Sequence, residues 1–183
     1  MATRARIGIK QKDGTIIAAY QHWDGYPGGL GYNLCEHWTN PKKVLEAIQL
    51  GNASKWGMII GSTIDFDDHE NAELGIQNVY YQRDRGEKDQ GPRTFKNEAE
   101  YLKDGFNSGE EYIYLLKQEG ETEMFTSTEI GSWYYAESTY VSAPGGGSRE
   151  AKSDFKPLEE AAIQDHIDSL KRYLEMKKER QAA

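Results

Sequence analysis

Only one cysteine, Cys35, occurs among the 183 residues. No internal disulfide can form, and no cysteine pair is available for a zinc or iron–sulfur site. A lone cysteine reads as a small buried hydrophobe. No stretch approaches the ~18 apolar residues of a membrane-spanning helix. The opening Met-Ala-Thr-Arg-Ala-Arg is not followed by the apolar run of a secretory signal. The expected setting is therefore the cytoplasm, with no membrane partner. Positive charge is also scarce. There are 22 Lys and Arg against 30 Asp and Glu, a net charge of −8. Such a surface repels phosphate backbones, which weighs against nucleic acid as a partner. Missing too are a Gly-x-x-x-x-Gly-Lys-Ser/Thr loop, a His-Glu-x-x-His pair and a Gly-x-Ser-x-Gly elbow. No cofactor is expected, and a binding protein is expected ahead of an enzyme.

What the chain does hold is enough apolar mass for one core. Hydrophobic residues make up 37%, and tyrosine (12) outnumbers phenylalanine (5). Residues 4–10 alternate, with Ala5, Ile7 and Ile9 on one face and Arg4, Arg6 and Lys10 on the other. Asp13-Gly14 then signals a two-residue hairpin turn. That register sets Ile9 opposite Ala18, Ile7 opposite Tyr20 and Ala5 opposite His22, with Trp23 beside Arg4 and Arg6. A one-residue slip reverses the assignment. A helix over 30–38 carries Leu30, Leu34 and Trp38 on one stripe. Asn40 and Pro41 start a second helix, which Gly51 ends. Strands are expected over 58–66 and 76–82, a short helix after Asn97, a second hairpin about Glu119-Gly120, and a last strand over 133–141. The fold class is α+β, mainly an antiparallel sheet built from hairpins with helices packed on it. The domain spans 1–142. A Gly-rich linker (143–156) leads to a C-terminal amphipathic helix (157–183) with Ile163, Ile167, Leu170 and Leu174 along one stripe. A homodimer through that helix is the expected use of the stripe.

Two stretches are richer in chemistry than packing requires. His22-Trp23-Asp24-Gly25-Tyr26-Pro27-Gly28 ends a strand and leads into a helix N-terminus, whose free N–H groups attract anions. Its plain alternative is a structural turn. Arg83-Asp84-Arg85-Gly86-Glu87 places two guanidiniums on one face of a strand, where a bound carboxylate or phosphate would relieve their repulsion. Its plain alternative is a surface ion-pair cluster. The ligand-binding candidates are His22, Trp23, Asp24, Tyr26, Arg83, Arg85 and Glu87. His22 as base with Asp24 as orienter forms an alternative hydrolase site, although no nucleophile or metal accompanies them. The acidic run Asp65, Asp67, Asp68, His69, Glu70 lacks the glycine and distal glutamate of an EF-hand, so a solvated loop is expected there.

Thr3-Arg4-Ala5-Arg6-Ile7-Gly8-Ile9, Tyr20-Gln21-His22-Trp23-Asp24-Gly25-Tyr26-Pro27 and Arg83-Asp84-Arg85-Gly86-Glu87 together resemble a family of small, mostly uncharacterised proteins of phage and some bacterial genomes. The likeness covers about the first ninety residues. Its members read Ser-Arg-Ile-Gly-Ile, Cys-His-Trp-Asp-Gly-Tyr-Pro and Arg-Asp-Arg-Gly-Glu. Ala5 stands here for the serine and Gln21 for the cysteine, so no role of those side chains carries over. The resemblance implies a phage origin and a bacterial host cell, and it implies no reaction. In that setting the partner is a small anionic ligand, such as a nucleotide or host defence signal, or else a host protein that this chain inhibits.

Overall fold

A computed structural model describes residues 2–67, 76–118, 130–143 and 146–182, with no account of the side chains of residues 143 and 182. Strands β1 (Ala5–Lys10) and β2 (Ile16–Gln21) form the first hairpin. A π-helical turn (Pro27–Gly31) runs into α1 (Tyr32–His37), and α2 (Pro41–Gln49) follows. Short strands β3 (Ala53–Lys55) and β4 (Val79–Tyr80) precede α3 (Tyr81–Arg85). Then come β5 (Arg93–Phe95), α4 (Glu98–Asn107), β6 (Tyr112–Gln118), β7 (Gly131–Ala143), β8 (Gly146–Ala151), β9 (Lys156–Pro157) and α5 (Glu159–Ala182).

The sheet runs β4-β3-β2-β1-β6-β7-β8, with β5 also on β2 and β9 also on β7. The class is α+β, and the sheet is mixed. Most neighbours are antiparallel, while β1 lies parallel to β6 and β2 parallel to β3. Both faces are covered. Ala5, Ile7, Ile9, Tyr114 and Leu116 meet Leu34 of α1, Val44 and Ile48 of α2, and Ala162 of α5. Ile16, Ala18, Ile113 and Leu115 meet Tyr101 and Phe106 of α4. Each fully buried aliphatic of this kind contributes about 1.5–3 kcal/mol. The expected caps are present: Asn40 accepts from the Lys43 amide and Asn97 from the Glu100 amide, both at 2.9 Å.

The first hairpin has a different register from the one its turn sequence predicts. Ile9 pairs with Ile17, Ile7 with Ala19 and Ala5 with Gln21. The Asp13 carboxylate accepts from both the amide and the hydroxyl of Thr15, at 2.9 and 2.6 Å. That side chain closes a five-residue loop, Gln11 to Thr15, in place of a two-residue turn. The odd loop length moves Tyr20 to the face of Arg6, its direct partner.

Three further segments depart from their sequence patterns. The 58–66 segment is no strand, and only Ile59 bridges to Gln77. Of 76–82, just Val79–Tyr80 is extended before the chain turns into α3. The segment read as linker carries β8 and β9, both hydrogen-bonded to β7. In the second hairpin β6 pairs with β7, which begins at Gly131. The expected turn at Glu119-Gly120 and the strand over 123–128 lie outside the described residues. No helix among the described residues is long and apolar enough to cross a membrane.

Candidate functional site

The two chemistry-rich stretches reach the same end of the sheet, with β3 between them. Gln21, Ala53 and Tyr80 sit in one row across β2, β3 and β4, which places the stretches two interstrand steps apart, about 10 Å. Ser54 joins both: its carbonyl accepts from the Trp23 amide, and its side chain bonds the Tyr81 hydroxyl.

Their side chains are not all free for a ligand. Because Arg83 and Arg85 lie on a helical turn, they do not form a two-pronged strand face. Arg83 is held inside the protein. It donates to the Ile60, Gly61 and Asn78 carbonyls, pairs with Asp84 at 2.8 Å and stacks on the Tyr80 ring. The Asp84 carboxylate is fully buried and also accepts from the Tyr80 and Ile64 amides. This pair pins the 60–64 segment to α3. Arg85 is half exposed, pairs with Glu87 at 3.1 Å and lies over Phe66. Gly86, with φ 72°, ends the helix in the left-handed region that favours glycine.

The expected anion site at the glycine-rich turn already holds an internal carboxylate. Asp165 of α5 accepts from the Gly28 amide at 2.7 Å. A Cβ on Gly28 would lie 2.7 Å from the α5 backbone at Asp165 and His166, so only glycine allows the approach. His166 stacks on Tyr32 with ring centres 4.1 Å apart and donates from Nδ1 to the Gly28 carbonyl. Tyr26 leads into this turn and its carbonyl accepts from Gly29 and Gly31. Asp24 takes the left-handed conformation (φ 58°), and its carbonyl accepts from Leu30.

His22 lies beside Arg4. Its Nδ1 is 2.6 Å from the Tyr20 hydroxyl. Burial pushes the Tyr20 phenol up to about 12, so it keeps its proton, and the tautomer of His22 sets which of the two donates. Burial and then the Arg4 charge hold the His22 imidazole below its ordinary value. No hydrogen bond joins His22 to Asp24 among the described residues, so the hydrolase dyad is not assembled. Trp23 packs edge-on against His22 and is 46% exposed.

A region with free space lies next to Tyr20, on the α4 side. There the outer edge of β2 is shared: β5 pairs with residues 16–18 and β3 with Gln21. Between them the Asn52 side chain accepts from the Tyr20 amide at 2.9 Å. A cleft of about 300 Å³ opens here, lined by Arg4, Arg6, Tyr20, Asn52, Arg93, Phe95, Ser108 and Glu110 above Ala18 and Ala19. Arg6 and Arg93 both stack on Phe95. Arg6 is buried and bridges Asp104 and Glu110. Burial alone would lower its pKa, but the two carboxylates outweigh that and hold Arg6 above its ordinary value. Burial raises the Glu110 carboxyl against the opposing pull of Arg6. Arg93 pairs with Asp104 at 2.8 Å. Arg4 is exposed, and among the described residues no carboxylate pairs with its guanidinium. Glu111 instead accepts from the Arg4 backbone amide and pairs with Arg149.

Sequence reasoning missed Arg6, Tyr20, Asn52, Arg93 and Glu110 as one group. The alternation of Arg4 and Arg6 on β1 was a visible signal, but the hairpin register hid which aromatic joined them. Asp68, His69 and Glu70 lie outside the described residues, and no group of three metal-ligating side chains occurs among the described ones.

The chain is thus an α+β protein with a mixed sheet and an arginine-lined cleft where the edge of that sheet divides. No family model, curated protein or solved structure matches it.

Proposed function

We propose that this protein binds a small anionic ligand in the cleft beside Tyr20, as an accessory protein of a phage acting in its bacterial host. The observation that carries the reading is Arg4, a guanidinium without an acidic partner among the described residues, at the rim of a cleft that already holds Arg6 and Arg93. A phosphate or carboxylate there gains charge-assisted hydrogen bonds from Arg4 and a neutral one from Ser108. The cleft volume is at the small end for ligand sites and fits a ligand no larger than a mononucleotide. Trp23, exposed and edge-on to the His22 ring that bonds Tyr20, is a surface on which a base can stack. A nucleotide serving as a host defence signal is the biological ligand this reading favours.

Titration calorimetry with mononucleotides and with inorganic phosphate tests it. Arg4→Ala is expected to weaken binding by about 10- to 100-fold, the equivalent of roughly 1.5–3 kcal/mol for a hydrogen bond to a charged group. Its melting temperature should stay unchanged, because the side chain is exposed. Absence of binding by the whole panel, or equal binding by Arg4→Ala, would overturn the reading.

The imidazole of His22 is an internal reporter. In the free protein its titration by NMR should fall below the ordinary histidine value, as burial and Arg4 both disfavour the charged form. Arg4→Ala should move it upward, and so should saturation with phosphate. A second reading, inhibition of a host protein, draws on the exposed Trp23 indole. It requires capture of a host protein that Trp23→Ala abolishes while phosphate still binds.

A further inference from the structure

We infer that α5 pairs with α5 of a second copy of this chain, antiparallel, to form a homodimer. Its first turns are docked on the body through Leu158, Ala162 and the Asp165–Gly28 bond. Beyond that anchorage the helix projects, and residues 170–181 are exposed without exception. A free-standing segment of that length is marginal as a helix in water, so tertiary or quaternary packing has to support it. Ile163, Ile167, Leu170 and Leu174 are each 40–56% exposed. Their spacing of four, three and four is the seam of a two-helix coiled coil. A continuous aliphatic stripe on a solvent-projecting helix marks an interaction surface.

Charge selects the occupant. Residues 159–170 hold four acids and no Lys or Arg, and residues 171–182 hold five bases and two acids. A parallel pair would oppose acid with acid and base with base. An antiparallel pair sets the acidic half against the basic half. Centred between Asp168 and Ser169, it seats Ile163 against Leu174 and Ile167 against Leu170 of the other copy. The same register brings Glu160 to Lys177. The helix is therefore complementary to itself in one direction only, which is the property of a twofold interface. Two heptads bury an area at the low end for specific interfaces, about 1,200 Å² or less, so the dimer is weak and concentration-dependent.

Sedimentation velocity of the full chain over a micromolar concentration series provides the test. A monomer–dimer equilibrium is expected. Leu170→Glu, which places a charge in the seam, should raise the dissociation constant by about tenfold or more. Its circular dichroism and melting profile should otherwise match the dilute parent, since Leu170 is half exposed and belongs to neither core cluster of the monomer. Glu160→Lys should weaken association, and adding Lys177→Glu to that variant should restore it. Added sodium chloride should loosen the parent dimer by screening the attraction. A chain monomeric at every concentration, or one that pairs only with a foreign protein, overturns the inference. So does a dimer indifferent to Leu170→Glu. A dimer that tightens with salt, or a charge swap that fails to restore pairing, overturns the antiparallel arrangement.

Discussion

Replacing Arg6 by alanine is expected to destabilise the protein by about 3–5 kcal/mol, the usual cost of removing one partner from a buried ion pair. The guanidinium is 6% exposed and bridges Asp104 and Glu110. Without it a carboxylate 2% exposed has no counter-charge, and one of its oxygens is unpartnered even in the parent. Glu110 escapes by taking a proton. Its folded pKa is already raised, so its share of stability is full in acid and lost as pH rises through that value. Asp104 runs the opposite way. Burial opposes its ionisation, but Arg6 and Arg93 outweigh that and lower its pKa, so its stabilisation is lost as pH falls. Both effects make the deficit of Arg6→Ala greatest near neutral pH and smaller in mild acid. Urea unfolding of parent and variant at the two conditions checks both magnitude and trend. Arg6→Ala combined with Glu110→Leu should recover part of the loss, because no charge is then left buried at Glu110. Equal deficits at both pH values would show that packing, and not the ion pair, sets the cost.

Asp84→Ala should be comparably damaging, by about 3–5 kcal/mol, for a different reason. Its side chain is fully buried and serves four donors: the Arg83 Nε and Nη2 groups and the Tyr80 and Ile64 amides. Alanine leaves two backbone amides and a largely buried guanidinium without their acceptor. The 60–64 segment should become susceptible to proteases below the global unfolding transition, which limited digestion with mapping of the cut sites detects. Phosphate binding by the folded fraction should persist, because Asp84 does not line the cleft. Loss of binding with unchanged stability would instead return the Arg83-Asp84-Arg85 segment to the ligand site.

Local signals in the sequence were read correctly where local chemistry decides the outcome. Asn40 and Asn97 cap their helices because a short side-chain acceptor three residues before an amide needs no tertiary help. Leu30, Leu34 and Trp38 are buried as their stripe predicts. The hairpin itself was legible, but its register was not. One Asp13 carboxylate chose the loop length, and the choice moved Tyr20 and His22 to the arginine face. The helical state of Arg83-Asp84-Arg85 was hidden for a similar reason, since Asp84 draws acceptor geometry from Ile64, twenty residues earlier. Glu110 gave no signal, as its meaning depends on a parallel pairing of β1 with β6 across about a hundred residues. None of the seven ligand-binding candidates read from the sequence lines the cleft; Arg4, Arg6 and Tyr20 were legible as strand residues, and their assembly required contacts that only the folded chain makes.

The bond between the Gly28 amide and the Asp165 carboxylate also constrains the order of events as the chain folds. Its ends are 137 residues apart, and β1 must likewise wait for β6 before its second edge is satisfied. Long closures of this kind slow folding, since chain entropy is lost before the contact forms. During synthesis the first thirty residues leave the ribosome with a hairpin but no partner for the turn that follows it. That turn, the one most distinctive in the sequence, is completed only once residue 165 has been made. The segment that looks most like a self-contained motif is thus among the last parts of the molecule to reach its final form.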